Sequence, residues 1–203
     1  MTFLLLVAAY LLGSIPTAVL VSKVFFGVDV RTLGSGNAGA TNVARTLGWK
    51  AALPVVLVDV GKGALAAALP SLFHLPAPPW FPLACAAAAV LGHTFPVFAG
   101  FAGGKGVATA GGALLVLTPA LVGVAAVVWL SLVLATRIVS LASLAAAATL
   151  AAAAFLLPRV GWGIKPLAVV LAVFVFWTHR QNIRRLASGK EPRFAFGKGR
   201  SSP

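Results

Sequence analysis

Long apolar runs occupy most of this chain and restrict what it can fold into. Six of them lie at residues 3–26, 51–73, 82–99, 107–135, 138–157 and 167–177. About 20 apolar residues cross a hydrocarbon core of about 30 Å as a helix, and a soluble domain has about 25% charged residues. Here 60% of the residues are hydrophobic and 9% are charged. The sequence therefore predicts an all-α fold, a polytopic membrane helix bundle that forms one domain over residues 1–203, with a basic tail at 186–203.

The run at 107–135 decides the number of spans. Its 29 residues suffice for one tilted helix or for two short helices that meet at Thr118 and Pro119. Proline has no backbone N–H, and it disfavours the α conformation in the residue before it. With two short helices there are seven spans, and an external N-terminus then places 13 of the 16 Lys and Arg residues inside, as the positive-inside rule favours. Six spans would put Arg137 and the tail on the side opposite Arg31 and Arg45. We predict seven spans, an external N-terminus and a cytoplasmic C-terminus.

The charges are strongly unbalanced, with a net charge of +13 and three acidic residues, Asp29, Asp59 and Glu191. Three scattered carboxylates do not build a site for two metal ions, so we expect no metal and no cofactor. The positive-inside rule accounts for most of the bases, and we expect anionic lipid or an anionic substrate rather than nucleic acid. Asp59 and Lys62 lie three residues apart inside an apolar run, where ionisable groups are usually paired. We predict a structural ion pair that positions Lys62, with a role at the site as the alternative; Cys85 is predicted to be a small packing residue.

A first glycine-rich loop has the sequence GSGNAG at residues 34–39. Glycine and Asn37 tolerate positive φ, and successive backbone N–H groups in such a turn form a concave site for an anion. Thr41 or Asn42 is placed to cap a short helix that carries Arg45, which brings a helix N-terminus to the same anion. The alternative is a flexible loop at the membrane interface.

A second glycine-rich loop has the sequence GGKG at residues 103–106. A phosphate-binding Walker motif requires Gly at position 99 and Ser or Thr at position 106, where this chain has Ala99 and Gly106. Lys105 nevertheless comes just before a helix predicted to begin at about Val107, so its ammonium group and the helix N-terminus face the same place. The alternative is a lysine that extends to the lipid headgroups.

A third polar cluster, THRQNIRR at residues 178–185, follows the last apolar run. His179 and Asn182 are three residues apart and therefore share one face of a helix. His179 is a candidate general base or a hydrogen-bond donor to a phosphate. The neighbouring arginines either serve the same site or bind lipid headgroups. In the seven-span topology this cluster and both loops meet on the cytoplasmic face, which predicts a site for phosphorylated, lipid-like substrates.

Five strings make a resemblance specific. They are LGSIP at 12–16, GSGNAGATN at 34–42, GHTFPVF at 92–98, GGKGVA at 103–108 and HRQNIRRL at 179–186. Together they resemble the bacterial acyl-phosphate:glycerol-3-phosphate acyltransferase family, in order from about residue 11 to about residue 195. The His-x4-Asp motif of other glycerol-phosphate acyltransferases is absent, because Pro79, Phe98 and Arg184 come five residues after the three histidines.

The resemblance implies a transmembrane acyltransferase of the bacterial cell (inner) membrane with its site on the cytoplasmic face. The implied reaction transfers a fatty acyl group from acyl phosphate to the sn-1 hydroxyl of glycerol 3-phosphate. It gives lysophosphatidic acid and phosphate, as the first step of phospholipid synthesis. The implied partners are glycerol 3-phosphate, acyl phosphate and membrane lipid; no cofactor is implied, and we expect a monomer.

The resemblance also assigns residues by position. Catalysis falls to Ser35, Lys105, His179 and Asn182. Substrate binding falls to Gly34, Gly36, Asn37, Ala38, Gly39, Thr41, Asn42, Arg45, Gly103, Gly104 and Ser143, with Ser140 as the alternative to Ser143. Residues 35–39 would hold the acyl-phosphate head group, while Arg45 and the lysine, histidine and asparagine of the catalytic set would hold glycerol 3-phosphate. We favour a binding role for His179, with the phosphate dianion of the substrate as the base.

Two other classes use some of the same features. A transporter of organic anions or phosphate would share the basic loops, but it usually has repeats or broken helices that place charge in mid-membrane. Only Asp59 and Lys62 fit that description. A rhomboid-like protease would use Ser35 with a histidine, but Ser35 lies in a loop beside cations rather than on an apolar helix.

Overall fold

The computed structural model describes residues 2–74 and 76–194, which form ten α-helices. They are α1 (Thr2–Gly13), α2 (Thr17–Phe26), α3 (Ala40–Thr46), α4 (Trp49–Leu72), α5 (Phe81–Thr94), α6 (Val107–Leu117), α7 (Pro119–Thr136), α8 (Val139–Leu156), α9 (Ile164–Thr178) and α10 (Arg180–Ala187). Short 3-10 turns lie at Val30–Thr32 and Val97–Ala99. The all-α prediction is confirmed for the part of the chain that the structure describes.

The first predicted span is broken. In place of one helix over residues 3–26, α1 and α2 meet at a bend of 41° around Pro16. Proline cannot donate to the preceding turn, and the turn tightens so that the N–H of Ile15 donates to the Leu12 carbonyl at 3.2 Å. The Ile15 carbonyl accepts from the N–H of Thr17 at 3.0 Å and also from the ammonium of Lys62 on α4 at 2.9 Å.

The predicted break at Pro119 is confirmed. Helix α6 ends at Leu117 and α7 begins at Pro119, with Thr118 in an extended conformation between them. The 11 residues of α6 are about 16 Å long, well short of a hydrocarbon core of about 30 Å. Helix α9 begins three residues before the predicted start of its apolar run, and with 15 residues it is about 22 Å long.

Four helical segments of the described residues are long and apolar enough to cross a membrane, or five if the bent α1–α2 pair counts as one span. The four are Trp49–Leu72, Phe81–Ala99, Pro119–Thr136 and Val139–Leu156. A count of seven would need α6 and α9 as short spans. Seven spans and the external N-terminus therefore stay predictions.

Glycines let the helix backbones approach closely, as is common in membrane bundles. A Cβ on Gly63 of α4 would overlap the Thr109 carbonyl of α6, and one on Gly112 would overlap the Val60 carbonyl in return. Cys85 of α5 is fully buried in an apolar cluster with α1 and α4, as predicted for a packing residue. The tight α4–α6 contact leaves room on the other side of α6, where a cavity lies between α4, α6, α7, α8 and α9.

Candidate active site

The polar loops meet at one end of the bundle, here called the polar end. Arg31, ahead of the first loop (residues 34–39), donates from Nη1 to the Ala99 carbonyl ahead of the second loop (residues 103–106) at 2.8 Å. Its other guanidinium nitrogens bind both oxygens of Asp29, at 3.0 and 2.7 Å. The hydrogen bonds from Arg31 hold the pKa of the Asp29 carboxyl well below its usual value. A fixed ion pair therefore ties the two loops together.

Asn42 braces the first loop from inside. Its Oδ1 accepts from the N–H of Ser35, and its Nδ2 donates to the carbonyls of Val30 and Leu33, each at 3.0 Å. The predicted cap is wrong, because Gly39 is the N-cap residue of α3 and no side chain caps this helix. Asn42 is 2% exposed, and its amide is occupied by the loop backbone.

The concave backbone differs from the predicted one. Gly34 and Gly36 have φ of 56° and 71°, but Gly39 is extended with φ of −132°, and Asn37 does not have positive φ. The N–H groups of Ser35 and Gly36 are consumed within the loop by Asn42 and the Leu33 carbonyl. Among the described residues nothing accepts from the N–H groups of residues 37–41. The amides open to an anion are therefore those after Gly36, on the side of Arg45.

The second loop lies on the end of α5. The N–H of Gly103 donates to the Thr94 carbonyl at 3.2 Å, and that of Gly104 donates to the His93 carbonyl at 3.1 Å. A Cβ on Gly103 would overlap the His93 carbonyl, and a Cβ on Gly104 would overlap Nε2 of the His93 ring. Gly106, with φ of 81°, is the N-cap of α6, which begins at Val107 as predicted. The loop passes from the end of α5 to the start of α6 along a path that accepts only glycine at positions 103, 104 and 106.

Lys105 joins the second loop to the third cluster. Its ammonium donates to Oδ1 of Asn182 on α10, and the hydroxyl of Thr178 donates to its backbone carbonyl at 3.3 Å. Burial lowers the pKa of Lys105 to about 8, although the nearby Glu191 carboxylate favours the charged form. The predicted grouping of Lys105 with Asn182 in space is confirmed.

His179 lies between α9 and α10 and is buried at 3% exposure. Its Nδ1 lies 2.8 Å from the Val175 carbonyl, which can only accept, so the proton of the neutral ring belongs on Nδ1. Burial, and then the charge of Lys105, lowers the pKa of His179 to about 4. The ring is therefore neutral at pH 7, and its Nε2 can accept a hydrogen bond but cannot donate one.

Glu191 is a site residue that sequence reasoning missed. Its Oε1 accepts from Ser140 at 2.7 Å and from Nδ2 of Asn182 at 2.6 Å, and its Oε2 accepts from Arg185 at 2.7 Å. Burial alone would raise its pKa, but these hydrogen bonds overcome that effect and hold the pKa below the usual value. The sequence did contain one indication of its role: Glu191 is the only acidic residue in the basic tail, and it lies a few residues after the third cluster.

The stretch after α10 is thus part of the site and is more than a basic tail. Arg45 donates from Nη2 to the Pro192 carbonyl at 3.0 Å, and the N–H of Phe194 donates to the Arg137 carbonyl between α7 and α8 at 2.6 Å. Residues 195–203, the rest of the predicted tail, lie outside the described residues.

The two candidate serines have different partners. Ser143 donates to the Val139 carbonyl at 2.9 Å and accepts from the indole nitrogen of Trp129 at 3.2 Å. Ser140 donates to Glu191. Both serines line the same cavity, and each has donated its hydroxyl hydrogen. Either hydroxyl can still accept, Ser143 through one lone pair and Ser140 through two.

A cavity of about 470 Å³ runs from this polar end into the bundle. Besides Ser140 and Ser143, nine of the predicted residues line its polar mouth: Ser35, Asn37, Gly39, Thr41, Asn42, Arg45, Lys105, His179 and Asn182. Further in, its wall consists of small residues, which include Ala110, Gly111, Ala125, Ala126, Ala146, Ala147 and Ala172, followed by Leu114, Val122, Leu150 and Leu171. The result is an apolar chamber with a cationic mouth.

A second, polar cavity of about 230 Å³ adjoins the first. It lies between the two loops and the start of α10, and its lining includes Gly36, Gly103, Gly104 and the cations Arg180 and Arg185. Four residues line both cavities: Ser35, Asn37, Lys105 and Asn182. Of the predicted site residues, Gly34 and Ala38 line neither cavity, and Ala38 packs in the core at 7% exposure. In the described part of the chain no three His, Cys, Asp or Glu side chains are grouped to hold a metal ion.

The predicted pair of Asp59 and Lys62 is confirmed. The two charged groups lie 2.8 Å apart, and both side chains are 3% exposed. Asp59 also accepts from the Thr17 hydroxyl at 3.1 Å, and Nδ1 of His93 lies 3.6 Å from the same carboxylate oxygen. The ion pair thus positions Lys62, as predicted. The structure places Lys62 against the break in the first span.

Comparison with known proteins agrees along almost the whole chain. The sequence profile described as glycerol-3-phosphate acyltransferase matches residues 3–189. A glycerol-3-phosphate acyltransferase of Enterococcus faecalis is 43% identical over 202 residues, covering 96% of this chain and 92% of its own. One of Bacillus cereus is 46% identical over 201 residues, covering 97% of each.

The fold is also similar to crystal structures of PlsY (YgiH), an integral membrane glycerol 3-phosphate acyltransferase. Its glycerol 3-phosphate form has a TM-score of 0.87 at 39% identity and covers 96% of both chains. Its lysophosphatidic acid form has a TM-score of 0.83 at 39% identity and covers 96% of this chain and 95% of that one. The chain is therefore an integral membrane acyltransferase, with apolar helices around a cavity that has a cationic mouth. The chain belongs to the glycerol-3-phosphate acyltransferase family, whose reaction serves phospholipid synthesis.

Proposed function

We propose that this enzyme transfers a fatty acyl group from acyl phosphate to the sn-1 hydroxyl of glycerol 3-phosphate, giving lysophosphatidic acid and inorganic phosphate. The observation that carries the proposal is the shared wall of the two cavities, which consists of Ser35, Asn37, Lys105 and Asn182. An acyl phosphate has an apolar chain and a small anionic head. The larger, apolar cavity and the smaller, cationic cavity, joined at these four polar residues, match that shape and charge.

The acyl chain would occupy the apolar part of the larger cavity, and the phosphoryl group would lie in the smaller one. Gly36 of the first loop lines the smaller cavity and lets the backbone approach an anion closely, and the N–H groups of residues 37–41 that follow it have no acceptor among the described residues. Lys105, Arg180 and Arg185 supply positive charge on its other sides. The reacting carbonyl then lies at the junction, beside Lys105 and Asn182.

Glycerol 3-phosphate would bind in the mouth of the larger cavity. Arg45 and Lys105 are the cations there. Ser143 and Asn182 add hydrogen-bonding groups. Because Nε2 of His179 can only accept at neutral pH, His179 would accept from a hydroxyl of glycerol 3-phosphate and orient it toward the carbonyl. This is a binding role, as expected from the sequence, but through the hydroxyl and not through the phosphate.

The chemistry needs little from acids or bases. The sn-1 oxygen forms a bond to the acyl carbon, the bond from that carbon to the phosphate oxygen breaks, and the proton of the hydroxyl ends on phosphate. Phosphate is a good leaving group in this mixed anhydride, so the protein mainly neutralises two anions and aligns them. Lys105 touches both cavities and is the side chain best placed to stabilise charge on either substrate.

We place the polar end on the cytoplasmic side of the bacterial inner membrane, in a seven-span topology with the N-terminus outside. The charge distribution supports it, since 13 of the 16 bases then lie inside. Single cysteines introduced by Ser71→Cys and Ser188→Cys in a Cys85→Ala background test it. A membrane-impermeant maleimide should label the first from outside sealed cells and leave the second unlabelled. Labelling of the second contradicts the topology.

The donor is tested with the purified enzyme in detergent micelles. Palmitoyl phosphate with labelled glycerol 3-phosphate should give lysophosphatidic acid and phosphate in equal amounts, while palmitoyl-coenzyme A at the same concentration should give neither. Detergent micelles with both substrates and no enzyme serve as the control for non-enzymatic acylation. Turnover with the thioester and none with palmitoyl phosphate would overturn the assignment of the donor.

A further inference from the structure

A buried ionic cluster lies inside the bundle; two of its members, Asp59 and His93, line the larger cavity, and the proposed reaction gives the cluster no role. Asp59, Lys62 and His93 are 2%, 5% and 7% exposed. One carboxylate oxygen of Asp59 accepts from Lys62 and Thr17, and the same oxygen lies 3.6 Å from the His93 ring. Ionisable groups within membrane helices are costly, and they are usually retained for function. The break at Pro16 and the packing of α4 against its neighbours do not by themselves require buried charges.

The geometry connects this cluster to the second loop through His93. The backbone carbonyl of His93 accepts from Gly104, and its imidazole occupies the space where any side chain at 104 would lie. Gly104 immediately precedes Lys105, whose ammonium binds Asn182. The contacts therefore form a continuous series from Asp59 to His93, to Gly104 and to Lys105.

Lys62 serves a different purpose in the cluster. It neutralises the Asp59 carboxylate, and it ties the cluster to the first span by donating to the Ile15 carbonyl at 2.9 Å. Removing Asp59 alone would leave an unpaired buried cation, which destabilises the fold by itself. Removing both charges together avoids that penalty, because a buried pair can often be replaced by apolar groups without loss of stability.

We propose that Asp59 is a positioning residue of the glycerol 3-phosphate site: by fixing the imidazole of His93 it sets the path of Gly103 and Gly104 and thereby the place of the Lys105 ammonium. The inference rests on the proposed function in one respect, the contact between Lys105 and the phosphate of glycerol 3-phosphate. It predicts that loss of the Asp59–Lys62 pair weakens the binding of glycerol 3-phosphate more than that of acyl phosphate, because Arg180 and Arg185 also line the cavity proposed for the phosphoryl group of acyl phosphate.

The test uses the full chain with the paired substitution Asp59→Asn/Lys62→Met. The KM for glycerol 3-phosphate should rise about tenfold, as for the loss of one good hydrogen bond to a charged group, and the KM for palmitoyl phosphate should rise by a smaller factor, because Arg180 and Arg185 remain in the cavity proposed for its phosphoryl group. His93→Ala should give the same rise, and the triple variant should give no further rise. Val55→Ala, a core substitution on the same helix away from the second loop, is the matched control. It should lower the thermal midpoint without changing either KM.

The Lys105→Ala background separates this proposal from the proposed function. If Asp59 acts through Lys105, adding Asp59→Asn/Lys62→Met to Lys105→Ala should raise the KM for glycerol 3-phosphate by less than about twofold, because coupled sites are not additive. A full additional tenfold rise overturns the positioning role. A normal KM for glycerol 3-phosphate in the paired variant, together with a lower thermal midpoint, also overturns the positioning role. If Lys105→Ala alone leaves the KM unchanged, the assignment of Lys105 in the proposed function fails, and the positioning role fails with it.

Discussion

The two glycine-rich loops are supported in opposite ways. The first loop is braced from within its own stretch of chain, since Asn42 binds the backbone of three residues between 30 and 35. The second loop has no such brace and lies on the end of α5, against the His93 ring. The first loop therefore keeps its shape through a side chain of the short helix α3, whereas the position of the second loop depends on the end of the long helix α5.

This difference has a consequence for the substrates. The second loop carries Lys105, the cation that lines both cavities, so a shift of α5 or of the ionic cluster moves that charge. The first loop offers backbone N–H groups, whose position depends on Asn42 and on glycine conformation. We expect damage to the second loop to affect the anion of glycerol 3-phosphate most, and damage to the first to affect the acyl phosphate.

The largest effect is expected where the second loop touches its support. In Gly104→Ala the new methyl group overlaps Nε2 of His93, and the ring is held by Asp59 on its other side. The loop must move, and a misplacement of about 1 Å costs about 100-fold in rate. The measurement is kcat/KM for glycerol 3-phosphate, with Gly61→Ala as control, since a Cβ there meets nothing within 4 Å. Adding His93→Ala makes room and should restore activity to that of His93→Ala alone; no restoration contradicts the steric explanation.

Sequence reasoning predicted these elements to very different degrees. The break before Pro119 and the start of α6 after Gly106 were predictable because proline and glycine act on their own local backbone. The break at Pro16 was missed although the signal was the same, since the apolar run continues through it. Glu191 was missed because one of its partners, Ser140, is 51 residues away, and no local pattern encodes such a contact. Asn42 was misassigned because its amide suits a helix cap and a loop brace equally well.

Removal of the shared cation is expected to have the next largest effect. Lys105→Ala loses one charge-assisted contact to phosphate, of about 1.5–3 kcal/mol, so the KM for glycerol 3-phosphate should rise about 10- to 150-fold. Steady-state kinetics at saturating palmitoyl phosphate measures it. Lys50→Ala, which removes an exposed lysine at the start of α4, should leave the KM as it is. An unchanged KM in Lys105→Ala would mean that Arg45 alone holds the anion.

A smaller and different effect is expected from the brace of the first loop. Asn42→Ala leaves the Ser35 N–H without a partner and takes one of two donors from each of the Val30 and Leu33 carbonyls. An unsatisfied buried group costs about 1–3 kcal/mol unless water reaches it. The KM for palmitoyl phosphate should rise about tenfold, more than the KM for glycerol 3-phosphate, and the thermal midpoint should fall. Thr32→Ala, which removes an exposed hydrogen bond in the same segment, is the control. An equal rise of both KM values would show that the loops are not independent.

The smallest effect is a pH dependence that only the second loop can produce. Residues 34–42 contain no titratable side chain, whereas the pKa of Lys105 is lowered to about 8 by burial. A lysine binds phosphate only when protonated, so binding is complete below this pKa and is lost as the pH rises through it. In the free enzyme kcat/KM for glycerol 3-phosphate should fall about twofold by pH 8 and about tenfold by pH 9. The phosphate itself is a dianion over this range, because its second pKa is about 6. His179, with a pKa of about 4, adds no limb near neutral pH.

Lys105→Arg keeps its charge at every pH used, so its profile should be flat above pH 7 even if its activity is lower. A limb near pH 8 that survives in Lys105→Arg would belong to another group, and the second loop would then be no more sensitive to pH than the first.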